Sequence, residues 1–210
     1  MNKLGDLSCN EFLTELASAA PAPGGGGGAA MAGALAAALA SMVANLTIGK
    51  EKFAEREPEV KELLKQAEAE RVRLLQLADE DAAVFNSFMS CYKLPKDTDE
   101  EKAARTAAIR AAAKQAATVP LNIARSSFAV LKLADRLVVS GNPGVITDGA
   151  CSGLLARAAL RCAEYNVRIN LGLTKDEAWN AQAAADLKQL LADAEALETH
   201  LLAVTDKALQ

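Results

Sequence analysis

PAPGGGGGAAMAGALAAALASMVANLTIGK, residues 21–50, is the stretch that decides the fold of this chain. Five consecutive glycines, Gly24 to Gly28, precede an uncharged segment, rich in alanine, from Ala29 to Ile48. Small residues recur there every four positions, and alanine has the strongest helix propensity, so the segment predicts a helix that other helices approach closely. We therefore expect a flexible glycine loop followed by a buried helix. Three polar residues stand at its far end: Asn45, Thr47 and Lys50.

The composition of this stretch argues against a phosphate-binding loop and against a membrane span. The glycines lack the Lys-Ser/Thr pair that follows a nucleotide-binding loop, and no strand pattern precedes them. The segment is long enough to cross a bilayer. However, nine of the twenty residues from 29 to 48 are alanine, and no second span is present. A buried helix in a protein without a membrane partner is the favoured interpretation.

Length and composition indicate one helical domain, residues 1–210. Half of the residues are hydrophobic and only 4% are aromatic, while the net charge is −4. The basic residues are spread out, so no nucleic-acid-binding surface is expected. The four cysteines show no metal-binding spacing, and we expect reduced thiols in a cytoplasmic protein. The amino-terminal residues show no apolar signal-peptide core, so no secretory signal is expected.

Helix start and stop signals follow one another without any strand pattern. Capping boxes predict helix starts near Ser8, Thr98 and Thr174. Pro58 suits the first turn of a long helix that ends near Tyr92, and Pro120 is expected to start a new helix. These signals predict an all-α bundle of about seven helices around the alanine-rich helix.

One acidic residue of the long third helix is predicted to face the core. On a helical wheel Asp81 falls on the face that carries Leu74 and Ala78, whereas Asp79 and Glu80 fall well outside it. A carboxylate on such a face is costly unless it is paired or functional. Asp81 is therefore either a functional acid or one partner of a structural ion pair.

A polar stripe is predicted on the helix that follows Thr147. Asp148, Ser152, Asn166 and Asn170 share one face at spacings of three and four. Asp148 also fits an ordinary first-turn acid, whereas two asparagines on one face indicate a polar partner. The single histidine, His200, is expected at the surface, which argues against histidine-dependent nucleophilic catalysis.

Several motifs in this order resemble the cyclodeaminase/cyclohydrolase family of tetrahydrofolate enzymes. The matching segments are Pro21–Gly26, Ser41–Lys50, Asp81–Phe85, Leu94–Lys96, Thr118–Pro120, Gly141–Asp148 and Asn166–Asn170. Two positions depart from the family pattern: Ala22 replaces a threonine, and Thr147 replaces a serine but keeps the hydroxyl. The resemblance covers nearly the whole chain and is closest to the stand-alone cyclohydrolases.

The resemblance implies an all-α homodimer that acts on one-carbon folates without a metal or nucleotide cofactor. The leading expectation is hydrolysis of 5,10-methenyltetrahydrofolate to 10-formyltetrahydrofolate. The first alternative is cyclodeaminase activity, which forms the same methenyl compound from 5-formiminotetrahydrofolate and releases ammonia. The second alternative is a non-catalytic helical protein that binds folate or supports assembly.

Roles for individual residues follow from this chemistry. Asp81 or Asp148 is expected to stabilise the cationic substrate and accept a proton from water, with Asp81 preferred. Lys50 is expected to orient the water or protonate the departing nitrogen, although a cation at a helix end is common. In a homodimer, the two ends of the alanine-rich helix from different subunits could meet at one site. The expected substrate-binding residues are Gly24, Gly25, Gly26, Gly27, Asn45, Thr47, Asn142, Thr147, Asn166 and Asn170.

Overall fold

The computed structural model describes residues 3–210, and every regular element in that range is helical. The six α-helices are α1 (Cys9–Leu16), α2 (Gly24–Asn45), α3 (Glu57–Cys91), α4 (Asp99–Ser140), α5 (Ile146–Thr174) and α6 (Glu177–Ala208). Three short 3-10 turns lie at Leu4–Asp6, Glu51–Arg56 and Pro143–Val145. The prediction of an all-α bundle is confirmed, with six helices instead of about seven.

Helix α2 is the central helix of the bundle and packs against α3, α4 and α5. Ala30, Ala36, Ala37 and Ala44 are completely buried, which lets neighbouring backbones approach closely. Within residues 3–210, α2 is the one helix long and apolar enough to cross a membrane by length and composition. The core helix of a soluble protein passes the same test, and 61% of the most apolar window of α2 is buried within the fold.

The glycine run is helical, so the predicted flexible loop is wrong. Gly24 has a φ of +57°, a backbone conformation that suits glycine, and α2 begins at this residue. The N–H of Gly27 donates to the carbonyl of Pro23 at 3.1 Å. A Cβ at Gly27 would lie 2.8 Å from Cβ of Pro23, and one at Gly26 would overlap the carboxylate of Asp81. At Gly26 and Gly27, close packing of the first helical turn therefore requires glycine.

Helix α4 runs through Pro120, so the predicted helix start at this residue is also wrong. Proline has no N–H, and it therefore leaves the carbonyl four residues earlier without its helical donor. That carbonyl belongs to Ala116, and it accepts a hydrogen bond of 2.8 Å from Nδ2 of Asn170 in α5. A side chain from another helix thus replaces the missing backbone donor.

The capping boxes predicted at Ser8 and Thr98 are confirmed, with Glu11 and Glu101 as their acidic partners. The capping box predicted at Thr174 is not found there, because Thr174 is the last residue of α5 and Asp176 caps the start of α6. The hydroxyl of Thr174 accepts from the N–H of Asp176 and donates to Oδ1 of Asn180. These bonds fix the short α5–α6 connection.

Candidate active site

Asp81 lies half-buried on α3 and faces the first turn of α2. Burial raises the pKa of its carboxyl from 3.8 to about 6, and the nearby backbone N–H of Gly27 opposes this rise. Within residues 3–210, Asp81 forms no salt bridge, so no cation there offsets the burial of its carboxylate. A half-buried acid with a raised pKa in a cleft is a candidate functional residue.

A cleft of about 90 Å³ opens beside Asp81 at the junction of α3, α4 and α5. Asn166 and Asn170 of α5 provide its other polar side chains. Its remaining lining is apolar and comes from Val84, Phe85, Phe88, Ala116 and Pro120. The structure thus brings together the inward acid of α3 and the two asparagines of the predicted polar stripe.

The two asparagines turn hydrogen-bond acceptors toward the cleft. Nδ2 of Asn166 donates to the carbonyl of Cys162 at 2.9 Å. Nδ2 of Asn170 donates to the carbonyls of Ala116 and Asn166, both at 2.8 Å. Within residues 3–210, Oδ1 of each asparagine accepts no hydrogen bond, so the polar lining presents amide and carboxylate oxygens. Such a lining suits a ligand that is cationic or rich in N–H donors.

A second, apolar groove of about 430 Å³ lies along α2 and α5. It is lined by Leu16, Gly24, Gly25, Gly28, Ala29, Ala32, Ala158 and Cys162. Gly25, which lines this groove, lies close to the side chain of Asn166, which lines the cleft. A larger cavity of about 560 Å³ lies between α3 and α4, but it contains none of the predicted site residues.

The other predicted site residues lie at the opposite end of α2. This helix has 22 residues, which corresponds to a length of about 33 Å. Asn45, Lys50 and Thr147 are exposed near its carboxyl end or at the start of α5, and Asp148 is half-buried. Within one chain, these residues therefore lie at the far end of α2 from the Asp81 cleft, and their roles in the site stay predictions.

Thr47 and Asn142 use their side chains for hydrogen bonds within the fold, and their role in ligand binding stays a prediction. Oγ1 of Thr47 donates to the carbonyl of Val43 and accepts from the N–H of Asn142. Oδ1 of Asn142 accepts from Gly144, and its Nδ2 donates to the carbonyl of Leu46. These bonds hold the end of α2 against the turn between α4 and α5.

Sequence reasoning missed the contribution of α4 to the cleft. The sequence pattern predicts a helix start at Pro120, although a proline within a long helical pattern also indicates a carbonyl that needs another donor. His200 is exposed as predicted, and its Nδ1 lies 2.6 Å from Oδ1 of the buried Asp135. Within the described residues 3–210, no group of three His, Cys, Asp or Glu side chains could hold a metal ion.

Asn170→Ala is expected to lower the free energy of unfolding by about 1–3 kcal/mol, because the carbonyl of Ala116 loses its buried donor. Pro120→Ala supplies a backbone N–H to the same carbonyl. In that background, Asn170→Ala should therefore cost less than about 1 kcal/mol. Urea denaturation of the wild type, both single variants and the double variant measures the difference. An equal cost of Asn170→Ala in both backgrounds would contradict this account of α4.

Comparison with known proteins identifies the family. The family model of formiminotransferase-cyclodeaminase matches residues 8–189. A methenyltetrahydrofolate cyclohydrolase from Methylorubrum extorquens is 44% identical over 94% of this chain and 95% of its own length. A formimidoyltransferase-cyclodeaminase from Sus scrofa is 34% identical over 87% of this chain, a match that spans 34% of that longer protein.

Comparison of the fold with solved structures indicates the same family. A formiminotetrahydrofolate cyclodeaminase from Thermotoga maritima superimposes with a TM-score of 0.89 at 28% identity, over 99% of this chain and 100% of that one. Sequence and fold therefore agree over nearly the whole chain, and they include the helices that form the Asp81 cleft. The chain belongs to the formiminotransferase-cyclodeaminase family.

Proposed function

We propose that this protein is a methenyltetrahydrofolate cyclohydrolase, which hydrolyses 5,10-methenyltetrahydrofolate to 10-formyltetrahydrofolate. The observation that carries the proposal is the unpaired, half-buried Asp81 in a cleft whose other polar groups are acceptor oxygens. The cyclohydrolase from M. extorquens, similar along almost its whole length, supports this choice of reaction.

The charge of the cleft matches the charge of this substrate. The methenyl carbon of 5,10-methenyltetrahydrofolate lies in a cationic amidinium between N5 and N10. The carboxylate of Asp81 stabilises this cation, and Oδ1 of Asn166 and Asn170 accept hydrogen bonds from N–H groups of the pterin. The rings of Phe85 and Phe88 provide apolar surface for the flat part of the ligand.

Asp81 can also move the protons that hydrolysis requires. Water attacks the methenyl carbon, and the carboxylate of Asp81 accepts one proton from it as the C–O bond forms. The C–N5 bond of the resulting adduct then breaks, and Asp81 returns this proton to N5. The proton of the adduct hydroxyl leaves to solvent as the formyl group forms, so one proton is released per turnover. Since the pKa of Asp81 is about 6, both protonation states are accessible near neutral pH.

The second candidate is formiminotetrahydrofolate cyclodeaminase. The T. maritima protein, with which the fold superimposes over 99% of the chain, has this activity in its name. The same cleft suits that reaction, in which N10 attacks the formimino carbon carried on N5, and the imino nitrogen leaves as ammonia after it takes the proton of N10 and one proton from Asp81. The higher identity to the cyclohydrolase, 44% against 28%, favours hydrolysis.

Two assays of the purified protein separate these functions. We expect rapid loss of the absorbance of 5,10-methenyltetrahydrofolate, with formation of 10-formyltetrahydrofolate. We expect little release of ammonia from 5-formiminotetrahydrofolate. Ammonia release at the higher kcat/KM would instead identify a cyclodeaminase, and folate binding without either reaction would identify a non-catalytic protein.

The proposal includes a cytoplasmic homodimer that requires no metal or nucleotide cofactor. The reaction as written needs only water and the protons that Asp81 exchanges. A dimer is supported by the exposed apolar residues Leu35, Met42, Leu154 and Ile169 on α2 and α5, because a second copy would cover them. All four cysteines are free thiols in the structure, and this agrees with a reducing compartment.

A further inference from the structure

The Asp81 cleft is too small to hold a whole folate, so part of such a substrate lies outside it. The volume of the cleft is about 90 Å³, whereas typical small-molecule sites occupy about 300–1,000 Å³. The apolar groove along α2 and α5 has no charged side chain in its lining. It therefore offers no cation to the glutamate carboxylates with which a folate ends, and another surface beside the cleft has to supply one.

Helix α3 continues past the cleft with an aromatic face. Asp81, Phe85, Phe88 and Tyr92 follow one another at spacings of four, three and four, so they share one face of the helix. The first three line the cleft. The rings of Phe88 and Tyr92 meet edge to face with centroids 5.3 Å apart, and Tyr92 is 42% exposed. We call Phe85, Phe88 and Tyr92 the aromatic row; it leads from the cleft to the end of α3.

Arg105 of α4 lies at the outer end of the aromatic row. Its guanidinium carbon is 5.6 Å from the centroid of the Tyr92 ring, and its Nη2 donates to the carbonyl of Tyr92 at 3.2 Å. Within residues 3–210, Arg105 forms no salt bridge, and its Nε is buried without an acceptor. A guanidinium has five N–H donors, so that of Arg105 has donors left for a carboxylate.

Glu101, which lies one helical turn before Arg105, does not neutralise this charge. Its Oε2 accepts two backbone N–H groups of the capping box at the start of α4. The guanidinium thus lies on an aromatic ring with its charge available. A planar guanidinium in this position suits a carboxylate, which it can bind through two parallel hydrogen bonds.

We propose that, for the folate of the proposed function on which this inference rests, Arg105 binds a glutamate carboxylate while the pterin lies beside Asp81. The benzoyl ring of the substrate then lies on the aromatic row. A folate carries a pterin, an aromatic ring and a glutamate in this order, and α3 and α4 present an acid, aromatic rings and a cation in the same order. From Asp81 to Tyr92 the helix rises by about 17 Å, a length that an extended folate spans.

Equilibrium binding tests this role of Arg105 without any turnover. The two probes are tetrahydrofolate and its diamide, in which both glutamate carboxylates are neutral amides. By calorimetry, the wild type should bind tetrahydrofolate about tenfold more tightly than the diamide, which is the effect of one charged pair. Arg105→Gln should lose this preference, because it binds tetrahydrofolate about tenfold more weakly and the diamide as the wild type does. Unchanged binding of the diamide also shows that the variant is folded.

Three further variants separate charge, position and ring. Arg105→Lys keeps the charge without the planar fork, so it should keep part of the preference. Arg110→Gln is the matched control: Arg110 is exposed on the same helix, and it lies about 140° around the helix axis from Arg105. It should leave both affinities unchanged. Tyr92→Ala removes a ring that both probes use, so it should weaken both by the same factor.

Two results would overturn the proposed role of Arg105. One is an Arg105→Gln variant that still prefers tetrahydrofolate to the diamide. The other is an equal loss of affinity for both probes, since a merely structural role at the end of α3 would affect both. A wild type that does not distinguish the probes also overturns the carboxylate site, whatever its activity. If the wild type shows the preference but does not turn over 5,10-methenyltetrahydrofolate, the proposed function fails and the carboxylate site stands.

Discussion

Asp81→Asn is expected to lower kcat for 5,10-methenyltetrahydrofolate by at least about a hundredfold, because the amide cannot accept a proton from the attacking water. The same variant should be more stable than the wild type at pH 8. Asparagine keeps an oxygen that can accept the N–H of Gly27, but it has no charge to bury. Loss of activity together with a gain in stability is the combination expected when a functional acid occupies a costly position.

The pH determines the size of the stability gain. Because the pKa of Asp81 is about 6 in the folded protein and 3.8 is the ordinary value of an exposed aspartate, the folded state binds this proton more tightly than the unfolded state. The stability contributed by the protonated form is therefore fully present below about pH 4 and is lost as the pH rises through 6. The shift corresponds to about 3 kcal/mol, so we expect Asp81→Asn to gain about 2–3 kcal/mol above pH 7 and almost nothing at pH 4.

Urea denaturation at pH 4 and pH 8 measures this difference, and kcat/KM of the wild type should fall below about pH 6. Asp206→Asn is the matched control, since Asp206 is an exposed acid on α6, and its effect should stay within about 0.5 kcal/mol. An Asp81→Asn variant that turns over substrate at the wild-type rate would exclude Asp81 as the catalytic base. A stability gain that does not change between the two pH values would contradict the raised pKa.

Gly26→Ala should be nearly as damaging to activity, although it removes no functional group. The added Cβ would overlap the carboxylate of Asp81, so either the side chain or the first turn of α2 must move. We expect a loss of kcat of at least about tenfold from displacement of the base, and a loss of about 1–3 kcal/mol from overpacking.

The matched control is Gly172→Ala, because a Cβ at this helical position of α5 meets nothing within 4 Å. It should increase stability by up to about 1 kcal/mol through helix propensity. In an Asp81→Ala background, Gly26→Ala should lose most of its cost, since the carboxylate that it displaces is absent. Additive effects of the two substitutions on stability would show that the close contact is not the cause.

The sequence predicts the helices of this fold well because their signals are local. The capping boxes at Ser8 and Thr98 mark helix starts, and helical periodicity places Asp81 on the face of α3 that packs against α2. Periodicity also groups Asn166 with Asn170. Each of these features depends on residues only a few positions apart in the sequence, so the local sequence is enough to predict it.

The errors concern residues whose conformation depends on distant partners. Glycine and proline are weak helix residues by themselves, so a loop at Gly24–Gly28 and a break at Pro120 are the local expectations. In the structure, Asp81 packs against Gly26 in the helical glycine run, and Asn170 bonds to the carbonyl that Pro120 leaves without a donor; both side chains lie far away in sequence. For Thr47 and Asn142, ligand binding stays a prediction, and the structure adds the hydrogen bond from the N–H of Asn142 to Oγ1 of Thr47.

The glycine-rich start of α2 has a consequence for the order in which parts of the protein open. Glycine is less favourable in a helix than alanine by up to about 1 kcal/mol per residue, so five in succession make this turn the weakest of α2. It stays helical through its packing against α3 and α5, and local opening is cheapest where the helix itself contributes least. The backbone amides beside Asp81 are thus expected to exchange their hydrogens faster than those in the rest of α2. Since a bound folate would contact this segment, binding and ordering of the turn are thermodynamically coupled.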